Sequence, residues 1–400
     1  METRRVVNEH ILPATQRASK TYNFERPVAT DRNWPYKAPM KTALVALMLL
    51  VGFFAQADMA DQIDRVVQAE VASHGFQGNV FVHGPNEIIF AKSYGLADLE
   101  FNVPNSRETI FRVGSISKQF TAVGVLRLLA DGKIKSLDDR IGDYLAVPAH
   151  WKDITIHHLL THTSGVQRDP PLMTTGFSTY HTVSELFDSI SSAPLLSLPG
   201  ATYSYSNAGY EVLARFIEKC SGKDFAEYMA IHVFGPAGLK NTKHDSDFEI
   251  VPNRASGYLV NAGRLFNQAG FDLSNVTGAG RFISTVDDLY KWDQVLESER
   301  VLPSTVRDLL FKPYVTFGSK AYGYGWVIDQ WKGHKVVWHD GRINGYASDF
   351  AKFVDDKVVV IILSNRYDAG ASIMRIREKV ADLVLGVVPT APNVKTPPAR

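Results

Sequence analysis

The chain predicts a mixed α/β (α+β) protein, with an antiparallel sheet drawn from its N- and C-terminal parts, helices flanking it, and a mainly helical region inserted between. Three observations lead there. Extended, strand-forming segments are concentrated early, at Gly78–Val82 and Ile88–Ala91, and late, at Gly325–Asp329, Lys335–His339, Ala347–Val354 and Val358–Ser364. Between them apolar residues recur at helical spacing. The composition is that of an ordinary globular protein: 400 residues, 45% hydrophobic, 21% charged, formal net charge +1. That length supports a large core, and so even a charge balance gives no argument for nucleic acid or an anionic membrane as partner.

Residues 1–39 mix Arg, Asn, Pro and Thr without a sustained apolar period and read as an upstream extension absent from the mature protein. Residues 40–57 have the anatomy of a signal peptide. Met40-Lys41-Thr42 supplies a positive start, Ala43 to Ala55 an apolar run, and Ala55-Gln56-Ala57 a small-x-small cleavage site. The run is shorter than the roughly 20 residues of a spanning helix, so no stable membrane span is expected after cleavage. The expected location is the periplasm or the exterior, with Met40 the true start.

Residues 58–386 form the expected catalytic domain. An amphipathic helix starts near Asp61, with Ile63, Val66, Val67 and Val71 on one face and Gly75 past its end. His83-Gly84-Pro85-Asn86 joins the first two strands as a turn. Thr109–Val113 is extended and leads into a helix carrying Phe120, Val123, Leu126 and Leu129, closed by Asp131-Gly132. Ile134–Leu145 is turn-rich, and Ile154–Leu160 a short helical stretch. Residues 166–200, rich in Pro, Ser and Thr, read as a long surface excursion bordering a cleft. A helix with Tyr210, Leu213, Ala214 and Ile217 on one side ends at Gly222. The single cysteine, Cys220, excludes an internal disulfide and reads as a buried structural thiol on that helix. Residues 240–275 show no clear period. Thr277-Gly278-Ala279-Gly280 is a glycine turn, and Ser284 or Thr285 caps a helix reaching Leu296. After the late strands a helix spans about Ala371–Leu385, and residues 387–400 form a tail. An active groove is expected where the sheet and the inserted region meet.

The chemistry centres on Ser115-Ile116-Ser117-Lys118. Ser115 and Lys118, three apart, share one helix face. A serine hydroxyl is a poor nucleophile until a base takes its proton, and a neutral lysine amine beside it can do so. The first helical turn leaves N–H groups unpaired, which suits an oxyanion. The tetrapeptide alone recurs by chance about once in a chain of this length, so the context decides. Tyr205-Ser206-Asn207 and His339-Asp340-Gly341 supply it. Either the Tyr205 phenol or the Lys118 amine, each tuned by the other, could accept the serine proton and return it to the leaving group. The sequence leaves open which does. His157, His158 and His162 have no carboxylate or cysteine to complete a metal site, and Gly-x-Ser-x-Gly is absent around Ser115. No cofactor is expected.

These three motifs in this order resemble the serine beta-lactamase and penicillin-binding-protein superfamily. Within it the chain is most similar to the class C beta-lactamase-like serine hydrolases, which include D,D-peptidases and family VIII carboxylesterases, because Tyr-x-Asn replaces Ser-Asp-Asn. The resemblance covers about Asp61–Leu385 and includes Leu159-Leu160-Thr161-His162-Thr163-Ser164-Gly165 and Ser284-Thr285-Val286-Asp287-Asp288-Leu289. It implies a beta-lactamase/transpeptidase-like fold and hydrolysis of an ester or amide through an acyl-enzyme on Ser115, with Lys118 and Tyr205 catalytic. It further implies substrate contacts by Asn207, His339 and Gly341, and an oxyanion hole from the N–H groups of Ser115 and Arg342. Beta-lactamases usually carry Lys-Thr-Gly at the third motif; His339 and Asp340 here disfavour a substrate carboxylate. Hence a peptidase or esterase is expected, acting on a small-molecule ester, peptide or beta-lactam. A true beta-lactamase is the first alternative and a non-catalytic binding or scaffold protein the second. No oligomeric state follows from the sequence.

Overall fold

Eight antiparallel strands form the main sheet. The computed structural model describes residues 58–246, 248–268 and 270–387, so the predicted extension, signal peptide and most of the tail lie outside the described residues. The strand order is Val315–Phe317, Lys320–Tyr322, Val327–Trp331, His334–Ile343, Tyr346–Phe353, Val358–Ser364, Gly78–His83, Ile88–Tyr94. The early hairpin thus adds to the edge of the late meander, with Gly78 opposite Ser364 and His83 opposite Val359.

Helices cover both faces. Residues 58–74 and Gly370–Val384 pack on one side, where Val80, Val82, Val360, Ile362, Ile63 and Ile373 share a core. Phe81, Ile361, Phe350 and Leu363 point the other way, into a larger core built with the inserted helices. Burial of both faces is why Val358–Ser364 is apolar nearly throughout instead of alternating. Arg375 ties the two terminal helices together, donating to Glu70 at 2.9 and 2.7 Å.

The inserted region is organised around the helix Ser117–Ala130, buried on nearly every side. Asn207–Ser221 and Val286–Leu296 flank it, capped by Ser206 and Thr285. Three sequence readings need correction. Residues 166–200 are not only a surface excursion: they contain Pro171–Gly176 and a capped helix Val183–Ser192 that buries Leu186, Phe187 and Ile190. Residues 240–275 contain a hairpin, Tyr258–Asn261 with Arg264–Asn267. Cys220 is half-buried, because the helix end lies at the core's margin; burial still pushes its thiol up to about 11.

Candidate active site

The site lies where the inserted region meets the sheet. Strand Phe111–Arg112 delivers the chain to Gly114, whose φ of +51° turns it into a 3-10 turn, Gly114–Ile116, and then into the helix. Ser115 sits in that turn and Lys118 one turn later, its Nζ 3.1 Å from Ser115 Oγ. Lys118 is fully buried. Its amine donates to Asn207 Oδ1 at 2.8 Å and to the Ala279 carbonyl at 3.0 Å. The Asn207 amide nitrogen donates to Asp169 at 2.6 Å, which fixes the oxygen toward Lys118. Burial is the main influence on Lys118 and lowers it to about 7, with Glu211, Asp169 and Asp340 pulling the other way.

Tyr205 faces the same cluster, with Lys118 Nζ 4.9 Å from its ring centroid. Burial pushes its phenol well above the usual value, and the Ser115 hydroxyl acts against that. The segment bearing Tyr205 is braced by His162, which lies in the resembling stretch 159–165 but to which the sequence assigns no role. The His162 carbonyl accepts from Ser204 N–H at 2.8 Å and its Nδ1 from Ser206 N–H at 3.1 Å, so Tyr205 is pinned on both sides. The two rings lie 4.4 Å apart. His162 adopts φ of +60°, a strained conformation for a non-glycine residue. Burial keeps it neutral, far below its usual pKa. His157 is engaged elsewhere, its Nδ1 2.8 Å from the Tyr324 hydroxyl. Among the described residues no group of three or more His, Cys, Asp or Glu is placed to hold a metal ion.

The third motif lies on strand His334–Ile343, which outruns its neighbour: pairing with Val327–Trp331 stops at Trp338. Two-residue loops at Lys332-Gly333 and Asn344-Gly345 set the register on both sides. Flanking residues of such loops exchange hydrogen bonds, so odd-numbered N–H groups point to Tyr346–Phe353. Those of Asp340 and Arg342 therefore point to the open edge. That edge meets the nucleophile's turn closely. A Cβ on Gly114 would lie 2.8 Å from Arg342 N, and one on Gly341 would lie 2.0 Å from the Val113 carbonyl and 3.0 Å from Ser115 N. Ser115 N–H and Arg342 N–H are thus brought to one place.

The side chains of the motif behave differently. His339 is 3% exposed, with Nδ1 2.6 Å from the Asp340 carbonyl and Nε2 3.1 Å from the Tyr322 hydroxyl. A carbonyl only accepts, so Nδ1 carries the hydrogen. The ring's polar atoms are committed inside the protein, and burial lowers it to about 4. Of the predicted substrate contacts, His339 therefore offers the site neither its imidazole nor its backbone, which pairs with Phe350; the open edge is carried by Asp340 and Arg342. The Arg342 guanidinium lies over Gly370, where a Cβ would meet Nη2 at 2.0 Å.

A cavity of about 450 Å³ opens beside Ser115. Ser115, Asn207, Ala279 and Arg342 reach it, and Met173, Phe177, Leu259, Phe271, Val276 and Ile343 give it apolar walls. Four of those walls come from the two segments whose structure the sequence conveyed least. The helix Asn207–Ser221 also brings in Glu211, 1% exposed, which sequence reading missed; its place one turn after Asn207 was the available sign.

The family model described as Beta-lactamase matches residues 63–383. The chain belongs to that family and is a beta-lactamase-related serine hydrolase. It is 28% identical over 318 residues to penicillin-binding protein 4* of Bacillus subtilis (strain 168), covering 73% of this chain and 69% of that protein. With a D-aminopeptidase of Gluconobacter oxydans (strain 621H) it shares 23% identity over 330 residues, 78% of this chain and 61% of the other. The solved structure of a penicillin binding protein from Bacillus halodurans superposes with a TM-score of 0.70 at 26% identity, covering 78% of this chain and 98% of that one. The expected fold and family are both found.

Proposed function

We propose that this protein hydrolyses an ester or amide through an acyl-enzyme on Ser115, with Lys118 as the base. One observation carries the reading. Asn207 Oδ1 and the Ala279 carbonyl can only accept, and both are occupied by Lys118. A neutral amine has two hydrogens and one lone pair. With both hydrogens committed, the lone pair is left for the third neighbour, the Ser115 hydroxyl. Ser115 Oγ then bonds to the substrate carbonyl carbon as its proton passes to Lys118. The resulting oxyanion is met by the N–H groups of Ser115 and Arg342. Tyr205 enters this step protonated: it gives its phenolic proton to the leaving group and takes the proton held by Lys118 in exchange. Water then attacks the acyl-serine with the roles reversed, Lys118 taking the water's proton and Ser115 regaining its own.

The cavity supports an apolar acyl group. It reaches Ser115 and Arg342 but is not lined by Lys118, Tyr205 or His339. The leaving group must depart near the proton donor, so the walled cavity is left for the acyl part. A beta-lactam carboxylate is disfavoured, since His339 is neutral and committed and Asp340 follows it. Residues 40–57 support export before folding, and an N-terminus at Asp58 in secreted protein is the corresponding expectation.

The test is intact-protein mass spectrometry with peptide mapping after a fluorophosphonate and, separately, a penicillin. A fluorophosphonate adduct on Ser115, lost in Ser115→Ala, is expected. No adduct on folded protein would sink the reading in favour of a scaffold. Because Lys118 must be neutral to act, kcat/KM should rise with pH through about 7.

A further inference from the structure

Glu211 lies one turn beyond Asn207 on the same helix and faces the same way. Its carboxylate accepts from backbone: Gly278 N–H at 3.2 and 3.1 Å to its two oxygens, and Ala279 N–H at 2.9 Å. The peptide between them is also held from the opposite side, where the Thr121 hydroxyl donates to the Gly278 carbonyl at 2.7 Å. Gly278 has no room for a side chain, since a Cβ would lie 2.2 Å from the Tyr210 carbonyl. The turn held in this way ends at the Ala279 carbonyl, one of the two fixed acceptors on Lys118. An uncharged amide could receive an N–H from this turn without the cost of burying a carboxylate. What the carboxylate adds is a charge beside the lysine.

We propose that Glu211 is a positioning residue for the serine–lysine pair: it fixes the turn that aims Lys118 at Ser115, and its charge sets the pH at which Lys118 becomes a base. The inference rests on the roles given to Ser115 and Lys118 above.

Several elements present charged or titratable groups to Lys118. Its neighbours are Tyr210 and Glu211 on Asn207–Ser221, Arg168 and Asp169 on the preceding loop, and His339 and Asp340 on the third-motif strand, with Tyr205 and His162. Among the anions Glu211 acts most strongly on Lys118, ahead of Asp169 and Asp340. Both histidines are held neutral by burial. Glu211 is itself raised to about 7 by burial, against the pull of the Gly278 and Ala279 N–H groups, Lys118 and Arg281. The two groups therefore titrate in the same range and respond to each other.

The experiment is the pH profile of kcat/KM for an activated ester in the wild type, Glu211→Gln and Glu211→Asp. Removing the anion favours the neutral amine, so the acid limb in E211Q should move down by about one pH unit. E211D keeps the charge, and its limb should stay near the wild-type position. An unmoved limb in folded E211Q overturns the proposal, because a mere turn anchor would lower the rate without shifting the profile. Should E211Q not fold, Lys118→Met carries the test. Coupling is reciprocal, so removing the lysine charge must raise the Glu211 midpoint read by carboxyl-carbon NMR, and an unchanged midpoint overturns the proposal. Hydrolysis surviving in Ser115→Ala would instead remove the reading beneath it, and a Ser115 adduct with an unmoved limb would remove the Glu211 inference alone.

Discussion

Two glycines set the geometry of bond breaking at the scale of single residues. Gly114 and Gly341 let the nucleophile's turn and the strand edge approach within backbone contact. Gly341→Ala should therefore push Ser115 N–H and Arg342 N–H apart. Misplacing an oxyanion donor typically costs ~10²–10³ in rate, so kcat should fall by about that factor with the substrate's KM little changed, measured by steady-state kinetics. Ser115→Ala should cost ~10⁴-fold or more in kcat. Ser115 and Lys118 share a helix face, but they became legible with Tyr205 and Asn207 only through the ordered set of motifs and the family resemblance those motifs carry. The His339 ring was not legible, because which face of a strand is covered depends on Tyr322, contributed by a strand too short to read. Glu211 was missed for a related reason: a glutamate in a helical run looks like a solvated residue until the turn that packs on it is known.

Among the elements, segment 161–165 acts as the brace of segment 203–206. His162→Ala removes an acceptor from the buried Ser206 N–H, a loss of roughly 1–3 kcal/mol. His162→Asn tolerates positive φ and offers an oxygen in place of Nδ1, so it should retain more stability and more activity than His162→Ala. Urea unfolding and kcat together check this, and equal losses in the two variants would show that ring packing alone matters. Long helices and the last strands were readable because their periodicity is strong, as in Asn207–Ser221 and Val358–Ser364. Val183–Ser192 hid among Pro, Ser and Thr, although Thr182 and Glu185 form a capping box that announces it. Val315–Phe317 and Lys320–Tyr322 are three residues each, below the length at which alternation is informative.

Taken as a whole, the molecule places its site on the seam between a two-faced sheet and an inserted helical region. Most of the cavity's apolar wall belongs to the insertion, while Arg342 and Ile343 on its rim belong to the sheet. Changes in the wall should thus alter acyl preference without touching the chemistry. With p-nitrophenyl esters, kcat/KM should rise from acetyl to longer or aryl-bearing acyl groups, by about four-fold for each methylene buried. Leu259→Asp should flatten that rise while leaving fluorophosphonate labelling of Ser115 intact. A chain-length series without any rise in the wild type would remove the apolar acyl assignment.

The pairing of Gly78–His83 with Val358–Ser364 has a consequence in time. The early hairpin waits nearly the whole length of the chain for the strand that completes it. Contacts this distant in sequence close slowly and leave apolar edges open meanwhile. A ribosome-bound chain holds Ser115 and Lys118 yet lacks the strand edge carrying Arg342, so under the proposed mechanism it should not hydrolyse substrate until its last strands arrive. Hydrolytic competence is thereby tied to completion of synthesis, and a circular permutant that brings the two halves of the sheet together early should reach activity sooner after release.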